Sequence, residues 1–213
     1  GGVASYGTNA KDGAIVAIEE INKAGGVLGK QINPLVRDCK SIPDEAMSVS
    51  AALIGEGIVA QIGPLTSGDV QGSTSVLMDN KIPLIAPAAT AINVTVDEKT
   101  GKTLDYIFRV CFIDPFQGTL MAEFATENLG VKTAAIYKDT SSDYAKGLAE
   151  YFKKTFEASG GTIVTEEGFV KDDRDFKATL TKIRGKNPEF IYVPGYYQEV
   201  APLIKQAREL GIT

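Results

Sequence analysis

One pattern recurs along this chain: a short apolar run breaks into a loop of Gly, Pro, Ser or Thr and restarts with apolar residues at helical spacing. Its clearest copy is Ile58-Val-Ala-Gln-Ile-Gly-Pro-Leu-Thr-Ser-Gly-Asp69, which reads as a strand, a tight turn and a helix N-terminus. Strands that alternate with helices through short connections build parallel sheets covered by helices on both faces, so the pattern restricts the chain to the α/β class.

Taken in order, Tyr6 to Lys23 carries Ala10, Ala14, Ile15, Ile18 and Ile21 on one helical face, with Thr8 or Asn9 as its cap and Gly25-Gly26 past its end. A short strand is expected over Ile32 to Val36, then a helix to which Ser41-Ile-Pro-Asp-Glu45 supplies a polar cap, an early proline and first-turn acids, running to about Gly55. Strands at Ile58 to Ile62 and Ile82 to Ile85 flank a helix from about Gly68 to Asn80. Ile92 to Asp105 is a polar excursion; the apolar run Tyr106 to Phe112 follows, and Ile113-Asp-Pro-Phe116 opens a helix that closes near Leu129-Gly130. Three further units resume the alternation: strands at Thr133 to Tyr137, Thr162 to Thr165 and Phe190 to Val193. Helices follow them at Tyr144 to Ser159, at about Asp173 to Arg184 and at Gln198 to Leu210, with Leu148, Phe152, Phe156, Phe176, Leu180 and Ile183 inward. The irregular connection places a hinge near Phe112 to Asp114 and divides the chain into two α/β lobes, residues 1–112 and 113–213.

Composition removes whole classes of chemistry. The 213 residues include no histidine, which rules out Ser-His-Asp and Cys-His catalysis and most zinc sites. Net charge is −5 and no Lys/Arg cluster stands out, so nucleic acid is not an expected partner. The hydrophobic fraction, 44%, is enough for an ordinary core. No apolar run approaches the roughly 20 residues that cross a bilayer, and Gly1 to Tyr6 carries no charged and apolar leader, so a soluble chain without its targeting signal is expected. The two cysteines, Cys39 and Cys111, form no C-x-x-C pair and read as buried free thiols.

Several motifs fail on context. Thr95 to Thr103 ends like a phosphate-binding loop, but Val96 stands where its first glycine belongs and no strand precedes it. Gly55-Glu-Gly-Ile-Val-Ala60 imitates a dinucleotide fingerprint, yet it precedes a strand instead of following one. Asp172, Asp173 and Asp175 are expected to charge a helix N-terminus, not to hold a metal.

Ligands of open α/β sheets bind beyond the carboxyl ends of the strands, which points to the loops at Gly63 to Gly68, Ala86 to Ala91, Lys138 to Tyr144 and Pro194 to Gln198. Ser67 and Thr90 each follow a strand and precede a segment that can offer unpaired N–H groups, and neither loop contains a base. Each singly reads as a turn or cap residue; together they favour holding a carboxylate over attacking a substrate. Tyr144 and Tyr196 stand in the corresponding loops of the second lobe, either as aromatics closing over a small ligand or as ordinary packed tyrosines.

Tyr6-Gly-Thr-Asn-Ala-Lys-Asp-Gly13, Glu20-Ile-Asn-Lys-Ala-Gly-Gly26, Gly63-Pro-Leu-Thr-Ser-Gly68, Pro87-Ala-Ala-Thr-Ala91 and Gly195-Tyr196 resemble the periplasmic leucine/isoleucine/valine-binding proteins, type I solute receptors of amino-acid ABC transporters. The resemblance implies two doubly wound lobes joined by a hinge, the first lacking its initial strand and the second incomplete. It implies an extracytoplasmic receptor that captures a branched-chain or small aliphatic amino acid between the lobes and delivers it to a membrane permease, with no cofactor. Carried over by motif, Ser67 and Thr90 bind the ligand carboxylate and the Ala88 carbonyl accepts from the ammonium. Leu65, Thr66 and Ala89 line the site, Tyr6 packs on the ligand side chain, and Tyr144 and Tyr196 approach from the other lobe. Thr66 replaces a cysteine that the family often pairs near Cys39, so no such disulfide is expected. The family's first strand and its continuation past residue 213, with the acid that holds the ammonium, lie outside the sequence, which implies self-association or a complementing fragment. A ligand-sensing regulator domain and, third, a doubly wound enzyme are the alternative readings.

Overall fold

The computed structural model describes all 213 residues and divides into two compact units, Gly1–Ala89 with Asn93–Cys111, and Thr90–Ile92 with Phe112–Thr213. The first contains α1 (Ala4–Lys23), α2 (Pro43–Gly55), β1 (Gln61–Ile62), α3 (Ser67–Asp79), β2 (Leu84–Ala86) and β3 (Ile107–Arg109). The second contains α4 (Asp114–Glu123), a π turn at Phe124–Asn128, β4 (Thr133–Asp139), α5 (Asp143–Ala158), β5 (Thr162–Phe169), α6 (Lys177–Gly185), β6 (Phe190–Tyr192) and α7 (Tyr197–Glu209).

In the first unit the strands run parallel in the order β1-β2-β3, with Gln61, Leu84 and Ile107 in register on one face and Ile62, Ile85 and Phe108 on the other. The first set is buried, with Leu84 at 0% and Ile107 at 3% exposure, and the second is open, with Ile62 at 59% and Phe108 at 54%. Helices α2 and α3 pack at a distance that only Gly72 allows: a Cβ there would sit 2.3 Å from the Pro43 carbonyl oxygen.

Three expectations fail in this unit. Helix α1 begins at Ala4, so Thr8 and Asn9 are internal and cap nothing. Its N-cap is Val3, whose N–H donates to Ser41 Oγ at 3.3 Å; Ser41 is thereby used here, and α2 starts from Ile42 without a side-chain cap. Ile32 to Val36 forms no strand, because a strand exists only where a neighbour offers its N–H and C=O groups. The segment is held instead by side chains: Asn22 Oδ1 accepts from Ile32 N–H at 2.7 Å, and Arg37 pairs with Glu56 at 2.8 Å. Correspondingly, α1 buries none of its residues.

The second unit is wound on both faces. Its parallel sheet has the order β5-β4-β6. Alternation along β4 sends Ala134 and Ile136 into a core with Leu148, Phe152 and Phe156 of α5 and Ala122 of α4. Ala135 and Tyr137 point the other way, into a core with Phe176, Leu180 and Ile183 and with Leu203 of α7. Gly118 brings α4 against α5, since a Cβ there would meet the Leu148 carbonyl oxygen at 2.8 Å. Helix α6 starts later than its acids suggested: Asp173 and Asp175 accept from Val170 and Lys177 N–H at 2.8 and 3.1 Å, ordering the turn that leads into it.

Candidate functional site

The loop after β1 is built for a tight reversal. Gly63 adopts φ +80°, a left-handed value that suits glycine, and its peptide bond to Pro64 is cis. Gly63 N–H donates to the Ile85 carbonyl at 2.9 Å and its carbonyl accepts from Gln61 Nε2 at 3.0 Å, so the turn is tied to both strands. Thr66 is the N-cap of α3, its hydroxyl accepting from Asp69 N–H at 3.3 Å. That hydroxyl is engaged in the helix, while Leu65 beside it is half-buried. Ser67 is the first residue of α3 and 2% exposed, at the end where backbone N–H groups and the helix dipole both favour an anion.

The loop after β2 is held from β3. Arg109 Nη1 donates to the Ala89 carbonyl at 3.2 Å, Arg109 Nη2 to Thr95 Oγ1 at 2.7 Å, and the Cys111 thiol lies 3.5 Å from the same Ala89 oxygen. These contacts engage Ala89, which is buried, and leave the exposed Ala88 beside it outside the bracing. Thr90 carries the most informative feature. It is 6% exposed, its carbonyl accepts from Asp114 N–H at 3.0 Å, and its hydroxyl has no hydrogen-bond partner. A buried hydroxyl left so costs about 1–3 kcal/mol, a penalty that a bound acceptor would relieve.

In the second unit, β4 lies between β5 and β6, and the connections leave its two edges in opposite directions. Loops that follow β4 and β6 therefore face each other across the point where the strand order reverses, where such sheets bind ligands. Tyr144, in the first turn of α5, and Tyr196, the N-cap of α7, meet there with ring centroids 5.3 Å apart and planes 20° from parallel. Gln117 Nε2 of α4 donates to the Tyr144 hydroxyl at 3.2 Å. Beneath them Tyr192 stacks on Phe152 at 4.2 Å, and its buried hydroxyl lacks a hydrogen-bond partner. Burial pushes the ionisation of that hydroxyl far above the usual tyrosine range, with Tyr144 and Asp114 adding to the shift.

Tyr6 lies in the first turn of α1, on the helix expected there, and is 42% exposed. Cys39 and Cys111 are free thiols, but half-buried and not buried as expected; desolvation of Cys39, with Asp69 and Asp38 nearby, raises its pKa. Sequence reasoning missed Arg109, Asp114, Gln117 and Tyr192. A lone cation within the apolar run 106–112 was a readable signal for Arg109, and Asp114 is 1% exposed at a helix start where an acid ordinarily reads as a dipole partner. Gln117 and Tyr192 carried no local signal.

A family model described as periplasmic binding protein matches residues 1–213. The chain is 34% identical to a leucine-, isoleucine-, valine-, threonine- and alanine-binding protein of Pseudomonas aeruginosa, over all of this chain and 55% of that one. Among solved structures it superposes with TM-score 0.90 and 41% identity on the branched-chain amino acid transporter substrate-binding protein LivJ of Streptococcus pneumoniae in complex with isoleucine, covering 99% of this chain and 58% of that one. The leucine-binding protein LivK of Thermotoga maritima gives TM-score 0.90 at 36% identity, with 100% and 58% coverage. The chain thus spans between 55% and 58% of the length of these relatives.

Proposed function

Because the chain belongs to the periplasmic binding protein family, we propose that it is the part of an extracytoplasmic solute receptor that captures a branched-chain or small aliphatic amino acid for an ABC permease. The observation that carries this reading is the buried hydroxyl of Thr90, which lacks an internal partner and follows a loop braced by Arg109. A carboxylate accepts from such a hydroxyl and from the N–H groups opening α3 at Ser67. The Ala88 carbonyl takes the ammonium, Leu65, Thr66 and Ala89 line the polar end, and Tyr6, Tyr144 and Tyr196 contact the side chain.

The reading needs no catalysis and no cofactor. With no histidine in the chain and neither loop carrying a base, Ser67 and Thr90 have nothing to make them nucleophilic. No helix is long and apolar enough to cross a membrane. The amino acids in the relatives' names, leucine, isoleucine, valine, threonine and alanine, define the ligand panel. Isothermal titration of the natural full-length chain against that panel is the test. Heat of binding for the aliphatic members supports the proposal, and no binding to any of them defeats it.

A further inference from the structure

We infer that Gln117 is a positioning residue that sets the side-chain selectivity of the site by holding Tyr144 in place, an inference that rests on the proposed amino-acid-binding role. Tyr144 is restrained by a ring stack and by a hydrogen bond. Its face lies on Tyr196 at 5.3 Å and 20°, and its hydroxyl meets Gln117, with Nε2 at 3.2 Å and Oε1 at 3.5 Å. A stacked ring keeps its plane but slides and swings within it at little cost, because offset geometries differ little in energy. A hydrogen bond at the far tip of the ring removes that freedom. Stack and hydrogen bond together define where the ring edge lies, and hence how much space a ligand side chain finds beside it.

The backbone beneath Gln117 makes the restraint stiff. Gly118 lets α4 approach α5 so closely that a Cβ there would lie 2.8 Å from both the Leu148 carbonyl oxygen and Tyr151 Cβ. The next residue, Thr119, meets Thr155 of α5 through hydroxyls 3.2 Å apart. Gln117 thus projects from a helix that cannot slide along its neighbour. Tyr144 starts that neighbour, so the hydrogen bond spans a fixed gap. One methylene in an apolar pocket is worth about 10- to 200-fold in discrimination, so a small displacement of the ring edge changes which aliphatic side chains fit.

A merely structural hydrogen bond between helices would also be lost in a Gln117 variant, and selectivity separates the two roles. The natural full-length chain and its Gln117→Met variant, which keeps side-chain length without the amide, are titrated with L-isoleucine and L-alanine. The expected result is a change in the ratio of the two Kd values of about 3- to 10-fold, the effect of one neutral hydrogen bond. Gln117→Glu, whose carboxylate accepts from the Tyr144 hydroxyl, restores the ratio. Tyr144→Phe removes the same bond from the other side, shifts the ratio in the same direction and leaves Gln117→Met with no further effect in the double variant. An unchanged ratio in Gln117→Met, or a Gln117→Met shift that persists in full when added to Tyr144→Phe, overturns the inference while the wild-type binding stands. If Gln117→Met does not fold, an unchanged ratio in Tyr144→Phe overturns it. Wild-type protein that binds no amino acid fails the proposed function itself, and this inference with it.

Discussion

Replacing Thr90 by valine separates stability from binding in a way few substitutions do. The threonine is 6% exposed and its hydroxyl lacks a hydrogen-bond partner, so the ligand-free protein carries the full desolvation penalty of that group. Valine has nearly the same shape without the hydroxyl, and the backbone bond from Asp114 N–H to the carbonyl of residue 90 is untouched. Removing an unsatisfied buried hydroxyl recovers about 1–3 kcal/mol. For a chain of this size that is roughly 2–4 °C in Tm for each kcal/mol. Binding moves the opposite way. A hydrogen bond to a carboxylate is worth about 1.5–3 kcal/mol, so the Kd for isoleucine rises roughly 10- to 150-fold. Scanning calorimetry without ligand and titration calorimetry with isoleucine read the two effects on one preparation. Thr90→Ser, which keeps the hydroxyl, stays within a few-fold of wild type in affinity by the same reasoning. A fall in Tm for Thr90→Val with unchanged affinity would refute the argument, because it would mean that the hydroxyl bonds internally and away from the ligand.

Tyr192→Phe should leave stability unchanged or raise it by up to about 2 kcal/mol at neutral pH, since it deletes another buried hydroxyl without a partner. Its signature lies in alkali: burial raises the folded-state pKa above the ordinary tyrosine value of 10.0, so the neutral phenol's contribution is full below that pH and is lost as pH rises toward the folded value. Thermal melts at about pH 9 and about pH 11 should show a steeper loss for wild type than for the variant; parallel losses would contradict the assignment. Gly72→Ala forces a Cβ to within 2.3 Å of the Pro43 carbonyl oxygen, and α2 and α3 must part to admit it. Overpacking of this kind costs about 1–3 kcal/mol in urea denaturation, and a cost well under 1 kcal/mol would show that the two helices separate freely.

Local pattern made much of this protein legible before any coordinates. The alternation of apolar runs and helical segments marks the α/β class, and the inward faces of α5 and α6 follow from 3.6-residue spacing: Leu148, Phe152, Phe156, Phe176, Leu180 and Ile183 are all buried. The loops that follow β1, β2, β4 and β6 were legible as the carboxyl ends of the strands, because strand direction alone decides which end of a parallel sheet offers helix N-termini.

What the sequence by itself determined is therefore which residues of the α5 and α6 segments face inward, which loops follow the carboxyl ends of the strands, and which chemistries an absence of histidine removes. What only the tertiary structure decided is who meets whom. Ile32 to Val36 has the residues of a strand and is none, because strand formation needs a partner's backbone and periodicity says nothing about where that partner is. Tyr144 and Tyr196 stack only because β4 is flanked by β5 and β6 in that order. Gln117 reaches Tyr144 only because Gly118 lets two helices close, and Arg109 braces Ala89 only because β3 lies beside β2. Such contacts arise from packing between distant elements, where short-range spacing carries no information.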